Sequence, residues 1–260
     1  MSSVFIVATP IGNLGDLSPR ALDVLRGVDV IACEDTRHSI KLLNHFQLQK
    51  PLESYHDFNE AAKAEELVRR IEGGLKVALI SDAGTPGISD PGYRLIRLCR
   101  ERGIEVIGIP GPCAAVVALS ASGLPSDEFL FVGFLPVKAQ ARREKLESLK
   151  EGTATLICYE SPHRIGETLR EIAAVLGDRE ICIGRELTKL HEEYLFGKLS
   201  TVIDRVKPVG EFVLVIAGGD GEHHVATTDL EGLSRKDVLK LLAEKTGIPK
   251  NKLYEILLKD

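Results

Sequence analysis

Short runs of apolar, β-branched residues recur through the first half of this 260-residue chain, at 4–8, 29–33, 76–80 and 105–109, with amphipathic stretches of helical period between them. Strands that are apolar on both faces and alternate with helices predict a mostly parallel sheet covered by helices, whose functional loops gather at the carboxyl ends of the strands. The segments at those ends read Thr9-Pro10-Ile11-Gly12-Asn13-Leu14-Gly15-Asp16, Glu34-Asp35-Thr36-Arg37-His38, SDAGTPGISDPG from Ser81 to Gly92, and Pro110-Gly111-Pro112-Cys113-Ala114. In the third, Gly84, Gly87, Gly92, Pro86 and Pro91 sit among Asp82, Thr85, Ser89 and Asp90. Glycine allows backbone to approach a bound group closely and proline stiffens the turn, a composition suited to a preformed cradle for a small molecule. A carboxylate at the mouth of a parallel strand suits ribose hydroxyls or an amino group, whereas a phosphate calls for amides and cations. The expected ligand is therefore a nucleoside rather than a nucleotide.

A small, apolar helix over 113–122 ends at Gly123-Leu124-Pro125, which reads as a helix stop and a domain junction. A second series of apolar runs follows at 129–134, 154–159, 180–184 and 212–217, with helical patterns at 140–149 and 165–176. The expected organisation is α/β: an N-terminal αβα domain over 1–123, a C-terminal αβα domain over 124–221, and a small helical appendage over 222–260. Two sheets joined at Pro125 would leave a cleft between them.

Hydrophobic residues make up 44% of the chain, enough for a sizeable core without staples. The five cysteines are odd in number and fall mostly inside apolar segments, which fits reduced thiols in the cytoplasm. The N-terminus lacks a basic region ahead of an apolar one, and no uncharged apolar run approaches ~20 residues, so neither export nor a membrane span is expected. A net charge of −5 argues against diffuse nucleic-acid binding and requires any RNA partner to be met by a local basic patch.

The segments ATPIGNLGDLSPRA, ACEDTR, SYHDFNE, SDAGTPGISDPG, IPGPCA, YESPHR and GRELTKLHEEYLFG follow one another in order from Ala8 to Gly197. Together they resemble the tetrapyrrole methylase superfamily of S-adenosylmethionine enzymes and, within it, the bacterial ribosomal RNA small subunit methyltransferase I family. Members of that family methylate the ribose 2′-hydroxyl of a cytidine in the decoding centre of 16S rRNA. The resemblance implies S-adenosylmethionine folded in a cleft between two αβα domains, S-adenosylhomocysteine as product, no metal, a homodimer, and action within an assembled small ribosomal subunit. It carries donor contacts onto Ile11, Asp82, Gly87, Ile88, Cys113, Ala114, Glu160 and Leu187. The alternatives are a porphyrinoid or corrinoid methylase of the same superfamily and a non-catalytic rRNA-binding protein.

A sulfonium methyl is already an electrophile, so an enzyme of this kind must chiefly align its reactants and exclude water. A ribose hydroxyl is a poor nucleophile at neutral pH, and a positioned base or cation would add on the order of 10²-fold to 10⁴-fold. Glu34 matches the position where corrin-type relatives carry a general base, while the neighbouring Asp35 reads as a helix cap. His56, placed on a mobile loop by the polar SYHDFNE stretch, is a second acceptor, and Lys189 could lower the pKa of the hydroxyl. For RNA phosphates the candidates are Arg164, Arg185 and the tail lysines Lys250 and Lys252. Arg37 could grip a phosphate or neutralise the Glu34–Asp35 pair. The charged stretch Lys138, Arg142, Arg143 and Lys145 reads as a solvated face.

Overall fold

The structure, a computed structural model, describes residues 3–219 together with Ala243. The expected helical appendage, with Lys250 and Lys252, lies outside the described residues. β1 (Ser3–Val7), β2 (Val30–Cys33), β3 (Leu52–Ser54), β4 (Val77–Leu79) and β5 (Glu105–Ile109) form one sheet in the order β3-β2-β4-β1-β5, parallel throughout. The connecting helices are α1 (Pro19–Gly27), α2 (Thr36–His45), α3 (Glu60–Glu72) and α4 (Tyr93–Glu101). Val4, Ala32 and Leu79 pack with α3 and α4 on one face, and Val7, Ile31 and Ala78 pack with α1 and α2 on the other. Burial on both faces is why these strands read as unbroken apolar runs.

The second sheet contains β6 (Phe129–Phe134), β7 (Thr155–Glu160), β8 (Glu180–Arg185), β9 (Glu193–Lys198) and β10 (Phe212–Ile216), in the order β6-β7-β10-β8-β9. Only the β6–β7 pair is parallel; β10 runs antiparallel to β7 and β8, and β9 antiparallel to β8. The parallel expectation thus describes the first sheet and not the second. β3 and β9 were not among the expected strands: β3 has only three residues, and the charges of β9 hide its alternation at the sheet edge.

α5 (Ala114–Ser122) follows β5 in sequence but packs on the second sheet, with Ala115, Ala118 and Leu119 against Ile157, Cys182 and Val215. Its small side chains let helix and sheet approach closely, and they explain why the helix is apolar without a polar face. Gly123 closes it at φ +73°, a left-handed cap that glycine adopts without strain. The helix therefore fastens the second sheet beside the loops at the carboxyl edge of the first.

On the far side of the second sheet, α6 (Ala139–Leu149) meets α7 (Ile165–Leu176), and the reading of the α6 cations as a solvated face fails for one of them. Arg142 is 1% exposed; it pairs with Glu171, donates to Glu167 at 2.5 Å and to the Val137 carbonyl at 3.2 Å. A guanidinium has enough donors to satisfy two carboxylates and a carbonyl at once, so it can be buried where a lysine could not. Arg142→Ala should cost about 2 kcal/mol in denaturant unfolding, below the full cost of breaking a buried pair because the freed Glu167 is already solvated. A loss under a few tenths would show that the pair contributes nothing.

Candidate active site

The loops after β1, β4 and β5 are tied to each other before any ligand is considered. Thr9 and Gly84 exchange backbone hydrogen bonds of 2.8 and 3.0 Å, the Thr9 hydroxyl donates to the Ser81 carbonyl at 3.0 Å, and the Thr85 hydroxyl donates to the Pro112 carbonyl at 3.0 Å. Gly84 holds φ +82°, which a side chain would strain. At Gly111 a Cβ would come within 2.8 Å of the Ala8 Cβ, so the first and third loops can lie together only with glycine there.

Between this edge and the second sheet opens a cleft of about 410 Å³. Ile11, Asp82, Ile88, Asp90, Cys113 and Ala114 line it from the first half; Phe134, Tyr159, Glu160, Leu187, Lys189 and Val213 line it from the second. Its size and its mix of apolar walls with a few carboxylates are those of a small-molecule site. Every expected donor contact lines this cleft except Gly87, which instead shapes the loop at φ +81°.

Carboxylates dominate the electrostatics. Burial, reinforced by Glu34, Asp82 and Asp57, pushes the Asp90 carboxyl up to about 6 despite a hydrogen bond with Ser81. Glu34, just beyond β2, is raised by burial and then by Asp82 and Asp57. It is not among the cleft-lining residues. Asp82 accepts the Asp35 backbone N–H at 3.2 Å on one oxygen, which locks the ends of β2 and β4 together. Asp35 caps α2 by accepting the Arg37 backbone N–H at 2.8 Å, and the Arg37 side chain holds its carboxyl down at about 2.

The candidate RNA arginines are mostly spent on internal partners. Arg37 is exposed and chelates Asp35. Arg164 donates to Glu160 at 3.1 Å and to the Leu135 carbonyl at 2.8 Å, and Arg185 to Glu193 at 2.9 Å. Neither guanidinium stands free as a phosphate clamp, because a charge this close to a buried strand end is retained only with a counterion. Lys189 lines the cleft with its Nζ between Glu186 and Glu211, both at 2.8 Å.

His56 is not on a free loop. Tyr55, 1% exposed, donates its hydroxyl to Glu60 at 3.1 Å and accepts the Leu95 N–H at 3.2 Å, while Asn59 accepts the His56 N–H at 2.9 Å. The stretch looked mobile because its anchors are polar side chains, which carry no periodicity. The His56 Nδ1 is buried without a hydrogen-bond partner. Sequence reasoning gave Asp90 and Tyr159 no role; the repeated SDxG form at Ser81 and Ser89 is the one signal that could have marked Asp90.

A family model described as Tetrapyrrole (Corrin/Porphyrin) Methylases matches residues 3–203. A protein of Synechocystis sp. named ribosomal RNA small subunit methyltransferase I is 45% identical, over 99% of this chain and 98% of its own length. One of the same name from Vibrio cholerae is 48% identical, over 97% and 93%. Among solved structures, uroporphyrin-III-C-methyltransferase from Thermus thermophilus superposes with a TM-score of 0.58 at 19% identity, covering 83% of this chain and 94% of that one, which shows the shared fold. With the two-sheet architecture and the cleft between its halves, these likenesses place the chain in the tetrapyrrole methylases, and it belongs to their ribosomal RNA small subunit methyltransferase I family.

Proposed function

We propose that this protein transfers a methyl group from S-adenosylmethionine to the ribose 2′-hydroxyl of a cytidine in the decoding centre of 16S rRNA, acting on the small ribosomal subunit. The observation that carries the reading is the cleft itself: apolar walls from both sheets face a group of carboxylates, a setting that suits a nucleoside bearing a positive charge. The units over 1–123 and 124–221 would close on the donor, with Ile11, Asp82, Ile88, Cys113, Ala114 and Leu187 in contact with it and Gly87 shaping the turn.

When bound, the donor supplies an electrophilic methyl carbon on a sulfonium. The 2′-oxygen forms a bond to that carbon as the carbon–sulfur bond breaks; the electron pair stays on sulfur, giving S-adenosylhomocysteine, and the hydroxyl proton passes to a base. Glu34 is our candidate acceptor, because its raised pKa brings a carboxylate nearer to neutral pH. His56, with its unpartnered Nδ1, would be the relay behind it. Lys189 has three N–H donors and spends two on Glu186 and Glu211, which leaves one for the developing oxyanion.

Ribose-methylation mapping of small-subunit rRNA from cells lacking the protein should show one cytidine 2′-O-methyl missing, restored by the wild-type gene. If every ribose methyl survives the deletion, the reading fails.

A further inference from the structure

Across the Asp82 loop from the donor cleft lies a second, separate cavity of about 220 Å³. Thr9, Pro10 and Leu14 wall it from the first loop, His38, Ser39, Lys41 and Leu42 from α2, and Ser81 and Asp82 from the strand end they share with the cleft. Asp82 is thus common to both cavities.

Few polar groups of this cavity remain open to a ligand. The Thr9 hydroxyl proton is spent on the Ser81 carbonyl, and the Ser81 hydroxyl is shared between the Gly84 carbonyl at 3.0 Å and Asp90. One Asp82 oxygen is held by the Asp35 N–H, and the other accepts no hydrogen bond among the described residues. Ser39 is 2% exposed, and its hydroxyl meets no nitrogen or oxygen partner, with the Cys33 thiol as its neighbour. Pro10, Leu14 and Leu42 add apolar surface, and His38 and Lys41 are solvent-exposed. Lys41 forms no ion pair among the described residues, unlike Arg37, Arg164 and Arg185.

A buried hydroxyl met only by a thiol, a half-used carboxylate, apolar walls and an exposed cation without an ion pair among the described residues together fit a flat heterocycle with a ribose hydroxyl at the carboxylate and an adjacent phosphate. A carboxylate accepts from ribose hydroxyls, and unstacked bases are held between apolar surfaces with their polar edge read by hydrogen bonds. We propose that this cavity receives the base of the nucleotide to be methylated, an unstacked RNA pyrimidine, with its sugar at the Asp82 wall toward the donor and a flanking phosphate at Lys41. The proposal rests on the methyltransferase reading above and adds to it the place where the acceptor sits.

The test uses the full-length protein and small ribosomal subunits purified from cells that lack it. Methyl transfer is measured for the wild type, Ser39→Leu, which fills the cavity, and Lys41→Glu, which reverses the exposed charge; donor affinity is measured by calorimetry for each. Expected is donor Kd within about twofold of wild type, with kcat/KM for the subunit reduced about tenfold or more in each variant, the scale of losing one base or phosphate contact. Unchanged kcat/KM in both variants overturns the proposal while leaving the methyltransferase reading intact. Should Ser39→Leu also lose the donor, Lys41→Glu alone decides: impaired transfer with normal donor binding supports the cavity, and normal transfer overturns it. A wild-type protein that methylates no subunit RNA fails the parent reading and takes this one with it.

Discussion

Asp90→Asn is expected to make the protein more stable and a poorer binder of its donor at the same time. Burial, then Glu34, raises the Asp90 carboxyl in the folded state from an unperturbed 3.8 to about 6. Below pH 4 the group is protonated whether the chain is folded or not. Between there and about 6 the unfolded chain releases the proton while the folded one retains it, so this residue's contribution falls as pH rises and is lost above the folded pKa. Asparagine does not titrate. The variant's advantage should therefore grow across that window and level off above about pH 7 at on the order of 2 kcal/mol, seen as a melting point higher by roughly 5 °C. The same ionised carboxylate should attract a sulfonium, so wild-type donor affinity should rise as pH climbs through about 6, whereas the variant's should stay flat and about tenfold weaker at neutral pH. Affinity for S-adenosylhomocysteine, which lacks the positive charge, should change little. Calorimetric titrations of both nucleosides across this pH range give the answer; a pH-independent wild type, or equal losses for donor and product, would remove Asp90 from this role.

Such a cost is invisible in sequence, and that explains which parts of the molecule could be read in advance. The strands of the first sheet other than β3 were legible because burial on both faces leaves unbroken apolar runs, as at Val30–Cys33, and the cleft loops because they hold more Gly, Pro and Asp than a turn alone requires. α7 was legible over its whole length, 165–176, from its apolar period. The antiparallel pairing of β10 was not, since Phe212–Ile216 is as uniformly apolar as any parallel strand and only the register with β7 and β8 sets its direction. The family motifs led to residues that line the cleft, yet charge partners escaped them. Arg142, Arg164 and Arg185 look alike on paper, and only packing shows that each faces a carboxylate of its own. The second cavity was missed for the same reason: Ser39 and Lys41 sit within one turn of an unremarkable helix, and their relation to Asp82 is made by the sheet order.

Glu160, which the family resemblance assigns to the donor, is also hydrogen-bonded into the fold through both oxygens, and its removal should have the largest effect on stability. The side chain is inaccessible to solvent at the end of β7, with one oxygen accepting the Ser161 N–H at 2.7 Å and the other accepting from Thr168 at 2.7 Å and Arg164 at 3.1 Å. Arg164 in turn ties β7 to the Leu135 carbonyl beyond β6, so one carboxylate joins a strand, the start of α7 and the neighbouring edge. Glu160→Ala leaves a cavity, an unpaired guanidinium and two unmet donors, and should cost about 3–5 kcal/mol, or roughly 10 °C in melting temperature. Glu160→Gln keeps the shape and one acceptor and should cost clearly less. In a double-mutant cycle, Glu160→Ala with Arg164→Ala should be milder than the two single losses added together by about 2 kcal/mol, because the second substitution removes the charge that the first left stranded. Donor affinity of the glutamine variant should fall by less than about threefold, since the bonds that position the β7 loop against the cleft largely remain. A glutamine variant that unfolds like wild type but binds no donor would return Glu160 to the role of a direct donor contact.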